Sequence, residues 1–280
     1  MRILSLDPTP LHEWSYLSAA PRGGSEVRSL PLLSATVDTL APGLEALIAL
    51  SDLQGRVTSE LSAGTAVLLG EMLAEELAVL GQLGELPAPD QVGILLAGDL
   101  YSESTASVRG ASGDVRSVWL AFAERFRWVA GVAGNHDTFG SPRERERLCQ
   151  RPGVHLLDGA SCSPDGLRIG GVSGIIGRVG KPGRREEEDY LDVLGEVLRA
   201  RPEVLVLHQG PDAPGSDRQG SPGIRAALEL EEPPLVVFGH SHWDAPWAVL
   251  PSGAHALNVD GRAVLLRRAP YGAITLTDVI

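Results

Sequence analysis

The chain has 280 residues, of which 43% are hydrophobic and 21% are charged, so it has the composition of a globular protein rather than a disordered chain. Its formal net charge of −12 argues against a protein that coats long nucleic acid by electrostatic attraction. The sequence contains no run of the roughly 18–20 apolar residues that a membrane span needs. Two cysteines, Cys149 and Cys162, are too few for a disulfide framework, and residues 1–10 carry no secretory pattern. We therefore expect a cytoplasmic protein.

Short runs rich in Val, Ile and Leu recur along the chain, each bounded by turn residues, and this pattern predicts strands. The predicted strands are Arg2–Leu6, Ala46–Leu50, Gly93–Ala97, Val129–Ala133, Val154–Leu157, Leu167–Val172, Val204–Leu207, Leu235–Phe238, Trp247–Leu250, Ala263–Leu266 and Ile274–Thr277. Apolar residues at helical spacing predict helices over Thr65–Leu83, Val115–Trp128 and Glu186–Ala200. The last of these opens with acidic side chains, which favour a helix N-terminus.

Strands and helices alternate most clearly between residues 46 and 240. This alternation predicts a layered α/β fold with mixed sheets. We expect one domain over residues 1–280, with residues 1–45 as an irregular N-terminal extension and residues 46–260 as the core that carries the polar motifs.

Polar side chains follow several predicted strands at the point where each strand ends. They are Asp52, Asp99, His136, His208, His240 and His242. Ligand sites in α/β sheets gather beyond the carboxyl ends of strands, so these side chains are predicted to converge. Carboxylate oxygens mixed with imidazoles suit Mn²⁺, Fe or Zn²⁺, and a shared carboxylate is typical of two-metal hydrolases.

Each of these residues alone also has an ordinary structural explanation. Asp52 and Asp99 could be turn acids at strand ends, and His208 could be a hydrogen-bonded core histidine. A rival first acid is Asp7, but Pro8 and Thr9 follow it and offer poorer ligands, so we favour Asp52. The complete set in order along the chain favours a metal site.

The motifs carry a family resemblance. They are Asp52-Leu53-Gln54-Gly55, Gly98-Asp99, Gly134-Asn135-His136-Asp137, His208 and Gly239-His240-Ser241-His242. In this order, over about residues 46–260, the sequence resembles the calcineurin-like metallophosphoesterase superfamily. The resemblance implies a two-layer β-sandwich of mixed sheets flanked by helices, in four layers α/β/β/α.

The resemblance also implies two divalent metal ions, with Mn²⁺ favoured and Fe or Zn²⁺ as alternatives. The first ion would take Asp52, Gln54, Asp99 and His242, and the second would take Asp99, Asn135, His208 and His240. The activity implied is hydrolysis of phosphate mono- or diesters by a hydroxide that the two ions activate. His136 would protonate the leaving oxygen as general acid, and Asp137 would orient its ring.

Gln54 departs from the family, which usually has His at this position. An amide oxygen is a weaker donor than an imidazole to Zn²⁺ or Fe. We therefore expect weaker occupancy of the first ion, or a preference for Mn²⁺.

The expected substrate is a phosphoester, with nucleotides among the candidates. Arg178, Lys181 and Arg184 lie in a Gly-rich loop that could bind phosphate oxygens or could be a plain surface loop. Trp243 and Trp247 could stack on a nucleobase or could be packing residues. A different class of function, a non-catalytic metal-binding scaffold or protein-interaction module on the same fold, is the alternative to the enzyme.

Overall fold

The computed structural model describes residues 1–58, 66–230 and 235–269. The strands are β1 Ile3–Ala19, β2 Ser25–Val37, β3 Ala46–Ser51, β4 Arg56–Thr58, β5 Ala66–Leu68, β6 Val92–Leu96, β7 Gly113–Asp114, β8 Trp128–Gly131, β9 Asp137–Thr138, β10 Val154–Leu156, β11 Ala160–Cys162, β12 Ile169–Val172, β13 Ile175–Ile176, β14 Arg184–Arg185, β15 Val204–Gln209, β16 Leu235–Gly239, β17 Trp247–Val249, β18 His255–Asn258 and β19 Arg262–Arg268. The helices are α1 Leu69–Gln82, α2 Arg116–Arg125, α3 Pro142–Cys149, α4 Glu187–Arg199 and α5 Pro222–Leu228, with short 3₁₀ turns at Pro89–Gln91 and Pro164–Gly166.

Two large sheets form the centre of the fold. The first has nine strands in the order β10-β8-β6-β3-β19-β2-β1-β4-β5, and the second has six in the order β11-β12-β15-β16-β18-β17. Within the first sheet β3, β6, β8 and β10 are parallel, and within the second β12, β15, β16 and β18 are parallel. Both sheets also contain antiparallel pairs, so both are mixed as predicted.

Three buried clusters show how the layers stack. One joins the facing sides of the two sheets through residues such as Leu47, Leu95 and Val206. A second packs α1 and α2 on the outer face of the nine-stranded sheet, and a third packs α4 and α5 on the outer face of the six-stranded sheet. Alternate residues of one strand point to opposite layers, since Leu47 faces the other sheet and Ile48 faces the helices. The predicted β-sandwich flanked by helices is confirmed.

The predicted strands that fall on described residues each overlap an observed strand. The predicted strand Ile274–Thr277 lies outside the described residues. The three predicted helices are all present, and each is a few residues shorter at its ends. Among the described residues, no helix combines the length and apolar character required to cross a membrane.

The prediction that residues 1–45 form an irregular extension is wrong. Strands β1 and β2 form a long antiparallel hairpin, and β2 also pairs in parallel with β19, so the hairpin continues the nine-stranded sheet. The predicted strand Arg2–Leu6 covers only the start of β1, because most of the side chains of β1 are exposed or half-exposed and lack the alternation that marks one buried face. The rival acid Asp7 lies on this hairpin, where it is exposed and accepts the backbone N–H of Thr9 at 2.8 Å.

Candidate metal centre

The carboxyl ends of parallel strands place the predicted polar side chains. Asp52 follows β3, Asp99 comes shortly after β6, and His240 follows β16 directly. All three have a positive φ, of 54°, 54° and 68° respectively. A residue with a side chain adopts this conformation at a free-energy cost of about 1–3 kcal/mol, and such strain gathers at functional sites. The strained turns aim two carboxylates and an imidazole at one edge of the sandwich.

A compact cluster of metal-binding atoms lies at this edge. One carboxylate oxygen each from Asp52 and Asp99 and one ring nitrogen of His208 lie within 4.8 Å of one another. His208 is fully buried, and its Nδ1 lies 2.8 Å from the carbonyl oxygen of Ala97, which accepts the Nδ1 proton. Its Nε2 therefore faces the carboxylates, 3.5 Å from Asp99 Oδ2. A backbone partner that fixes the ring in this way is typical of a metal-ligating histidine.

Two buried polar atoms of the site have no hydrogen-bond partner among the described residues. They are Nε2 of His208 and Oδ1 of Asn135. Asn135 is held close to Asp99, because the next backbone N–H, that of His136, donates to Asp99 Oδ1 at 2.9 Å. Buried polar atoms are almost always paired, so two orphans beside a carboxylate indicate an absent partner. A divalent cation accepts both a neutral imidazole nitrogen and an amide oxygen, so the residues fit a metal ion.

The charges of the site favour a cation. Burial, and then the charge of Asp260, raise the pKa of Asp52 well above its usual value. Burial alone would lower the pKa of His208, but the Asp99 and Asp52 carboxylates raise it to about 10. The two carboxylates thus stabilise a positive charge between them, either the proton of His208 or a metal ion that replaces it. Burial and the neighbouring charge of His208 lower the pKa of His240 to about 4, which keeps that ring neutral, as a metal ligand must be.

Gln54 and His242, two of the residues predicted to hold the first ion, are less favourably arranged for metal binding than the compact cluster. The Nε2 of Gln54 donates a hydrogen bond to Asp99 Oδ2 at 3.0 Å, so its amide presents a donor to the shared carboxylate. The side chain of His242 is 55% exposed, and the Arg262 Nη2 lies 3.0 Å from its Nε2. Both side chains line one cavity with Asp52 and His240, but they lie outside the compact cluster.

The expectation that Asp137 orients the His136 ring does not match the hydrogen bonds. Asp137 Oδ2 accepts the backbone N–H of Asp99 and of Gly134, and its Oδ1 accepts that of Leu100, each at 2.8 Å. The ring of His136 instead lies 3.1 Å, at its Nδ1, from the hydroxyl of Ser112. His136 lies in the bend that precedes β9, and the Asp137 carboxylate is directed to three backbone N–H groups instead of to the ring.

A polar cavity of about 340 Å³ opens beside the cluster. Sequence reasoning missed several residues on its walls, namely Tyr16 and Arg28 from the hairpin, Tyr101 and Arg109 from the segment after β6, and Asp260 from the turn before β19. Short motifs gave no signal for them, since each reaches the site from a distant segment. Arg28 is paired with Glu26, whereas Arg109 is exposed and has no ion pair among the described residues.

The other predicted substrate residues lie elsewhere. Arg178 and Lys181 are exposed on the segment between β13 and β14. Arg184 is half-buried and lines a separate cavity with Gly134 and Asp137. Their role in substrate binding stays a prediction.

The two tryptophans are engaged in packing. Trp243 is buried against Phe238, with ring centroids 4.9 Å apart. Trp247 stacks on His255, with an interplanar angle of 14°. Both contacts favour the packing alternative over stacking on a nucleobase.

Comparisons with known proteins agree with this geometry. A family model described as calcineurin-like phosphoesterase matches residues 47–244. The chain is similar in structure to the protein TT1561 of Thermus thermophilus, with 16% identity, a TM-score of 0.53, and coverage of 80% of this chain and 88% of that one. At this identity the likeness shows the fold alone. A search of curated proteins finds no match.

Two further solved structures give weaker matches. A 5′-nucleotidase precursor from Thermus thermophilus has 15% identity and a TM-score of 0.38, with 77% of this chain and 48% of that chain covered. A putative 5′-nucleotidase from Staphylococcus aureus has 12% identity and a TM-score of 0.41, with 83% and 56% covered. The family match spans most of the chain and contains every predicted metal ligand. The chain therefore belongs to the calcineurin-like phosphoesterases, which are metal-dependent enzymes that hydrolyse phosphoesters.

Proposed function

We propose that the protein hydrolyses small phosphate mono- or diesters at a site for two divalent cations centred on Asp99, with His136 as the general acid. The observation that carries the proposal is the buried cluster of Asp52, Asp99 and His208 with its unpaired imidazole nitrogen. Burying charged groups in this way costs folding free energy unless a cation balances their charge.

The residues divide between two ions. Asp99, Asn135, His208 and His240 would hold one ion, and Asp52, Gln54, Asp99 and His242 would hold the other, with Asp99 shared. Oxygen donors mixed with imidazoles suit Mn²⁺, which we propose as the preferred metal. When bound, the cations supply Lewis-acid charge that lowers the pKa of the attacking water and offsets the charge on the phosphate oxygens.

The protein's own residues supply positioning and a proton. The ring of His136 is half-buried beside the cluster, since its backbone N–H is bonded to Asp99 and the backbone of Gly110 packs against the ring. Its Nε2 can carry a proton to the oxygen of the departing group, while Ser112 holds the other ring nitrogen. Arg109 provides a cation on the cavity wall for phosphate oxygens.

The volume of the cavity and the net charge of the protein limit the kind of substrate that can bind. A cavity of about 340 Å³ suits a small phosphoester such as a nucleotide rather than a long strand. The net charge of −12 also opposes binding of long nucleic acid. Both cysteines are free thiols, which fits the reducing compartment that we propose, the cytoplasm.

The test is hydrolysis of p-nitrophenyl phosphate and bis-p-nitrophenyl phosphate by chelator-treated protein, with and without added Mn²⁺. We expect Mn²⁺ to restore turnover, Asp99→Asn to abolish both turnover and Mn²⁺ binding, and His136→Ala to keep Mn²⁺ binding and lose only part of its turnover on these activated esters. His12→Ala, at a half-buried histidine of the hairpin that packs against Trp14 and does not line the cavity, is the matched control and should behave as wild type. Wild-type protein without metal-dependent turnover, or an active Asp99→Asn variant, would contradict the proposal.

A further inference from the structure

Asp260 lies next to the first-ion residues although it belongs to no recognised motif. It sits in the turn between β18 and β19, and its backbone forms an isolated parallel bridge with Ser51, the neighbour of Asp52. Its side chain is 21% exposed and lines the same cavity as Asp52 and His242. The fold thus brings a third acid to this side of the cluster.

The charge of Asp260 faces the same space as the Asp52 carboxylate. Its Oδ1 lies 3.8 Å from the Nδ1 of His242. The described residues give the Asp260 carboxylate no hydrogen-bond donor, so its oxygens are available to a ligand.

The nearby cation does not satisfy this carboxylate. Arg262 is buried, and its Nη2 donates to the His242 ring and, at 2.9 Å, to the carbonyl oxygen of Trp243. The guanidinium therefore orients the His242 ring while two carboxylates remain on the cavity side. Asp52 and Asp260 therefore bring two negative charges to one cavity, and like charges in one site favour a bound cation.

Gln54 leaves a gap in the first-ion ligand set. Its amide nitrogen is turned to Asp99, and an amide brings no negative charge even when its oxygen faces a metal. Without another ligand, Asp52, the shared Asp99 and the exposed His242 would have to hold the first ion. Hard divalent cations such as Mn²⁺ favour carboxylate oxygens, and Asp260 offers one on the wall of the same cavity.

We propose that Asp260 is a further ligand of the first ion and supplies the negatively charged oxygen that the amide of Gln54 cannot. The inference rests on the two-ion site of the proposed function. It assigns a binding role to a residue outside the matched family region, which ends at residue 244.

The test measures Mn²⁺ binding rather than activity. Chelator-treated wild type, Asp260→Asn and Asp244→Asn are dialysed against MnCl₂, and bound Mn²⁺ is measured with the electron paramagnetic resonance spectrum. Asp244 is the matched control, because it lies 3.9 Å from the other nitrogen of the same histidine but its side chain is 94% exposed. We expect Asp260→Asn to weaken the second equivalent of Mn²⁺ by about tenfold or more, a change typical of altered metal surroundings. Its spectrum should change from that of a coupled pair to that of an isolated ion, whereas Asp244→Asn should match wild type.

A rescue variant separates loss of a ligand from loss of structure. Gln54→His combined with Asp260→Asn should regain the second equivalent, because it returns a strong donor to the same ion. Unfolding of metal-free Asp260→Asn should match metal-free wild type. If wild type binds two Mn²⁺ ions and Asp260→Asn binds them equally tightly, Asp260 is not a ligand, and the two-ion site of the proposed function still stands. A wild type that binds a single ion would instead overturn the two-ion site of the proposed function.

Discussion

The carboxylate of Asp137 fixes the backbone of Asp99, the residue shared by the two proposed ions. Its Oδ2 accepts the Asp99 N–H at 2.8 Å, and the remaining bonds of this carboxylate hold the N–H groups of Leu100 and Gly134. Asp99 is held at a φ of 54°, a conformation that needs such support. Asp137 therefore acts on the site by fixing two ligand turns relative to each other.

Removal of this carboxylate is predicted to loosen both turns. Asp137→Ala removes three hydrogen bonds to backbone donors, and the net contribution of each such bond to stability is about 0.5–1.5 kcal/mol. We expect a loss of about 2–4 kcal/mol in the free energy of unfolding, measured with urea, together with weaker Mn²⁺ binding. Asp244→Asn, on the exposed surface, is the control. Unchanged stability with a selective loss of turnover would instead support a direct action of Asp137 on the His136 ring.

The candidate metal ligands could be placed near one another from the sequence because they lie at or shortly after the carboxyl ends of buried strands. Parallel strands bring their carboxyl ends to one edge, so Asp99 and His208 could be placed together although they lie far apart in the chain. The hydrogen bonds of Asp137 could not be predicted in the same way. Its position beside His136 suggests contact with that ring, but the direction of each side chain depends on a local turn that sequence spacing does not define.

The residues that line the cavity also could not be predicted from sequence patterns. Arg28 reaches the site on a hairpin whose strands lack a regular buried face, and Asp260 reaches it through a bridge to Ser51, more than two hundred residues earlier. These contacts depend on the order of strands in the sheets. A short apolar run predicts that a strand exists but not which strand lies beside it.

The role of His136 as an acid predicts a dependence on the leaving group. A p-nitrophenolate departs readily without a proton, whereas an alkoxide needs one. His136→Ala should therefore reduce kcat for an alkyl phosphate such as glycerol 2-phosphate by about 10²–10⁴-fold, and it should reduce kcat for p-nitrophenyl phosphate much less. Steady-state kinetics on both substrates at saturating Mn²⁺ measure the difference. Equal losses on the two substrates would show that His136 acts on binding or on the metal instead of on the leaving oxygen.

Arg109 is exposed on the cavity wall and has no ion pair with any residue that the structure describes, so its removal should weaken substrate binding. A charged hydrogen bond contributes about 1.5–3 kcal/mol. Because Arg109 is solvated, we expect Arg109→Ala to raise KM for p-nitrophenyl phosphate by roughly five- to tenfold with a small change in kcat. Arg178→Ala is the informative comparison, because Arg178 lies in the Gly-rich loop that the sequence predicts to bind phosphate oxygens. A larger rise in KM for Arg178→Ala than for Arg109→Ala would return the substrate contact to that loop.

Gly239 allows the Asp52 carboxylate to approach β16. A Cβ at this position would lie 2.1 Å from Asp52 Oδ2, the oxygen that accepts the His240 N–H at 3.0 Å. Gly239→Ala should therefore displace Asp52, lower the free energy of unfolding by about 1–3 kcal/mol and weaken Mn²⁺ binding. Gly195→Ala, in helix α4, is the matched control, because its new Cβ meets nothing within 4 Å. It should raise stability by about 0.5–1 kcal/mol through helix propensity and leave Mn²⁺ binding unchanged. Wild-type Mn²⁺ affinity in Gly239→Ala, measured by equilibrium dialysis, would show that the site does not depend on this close approach.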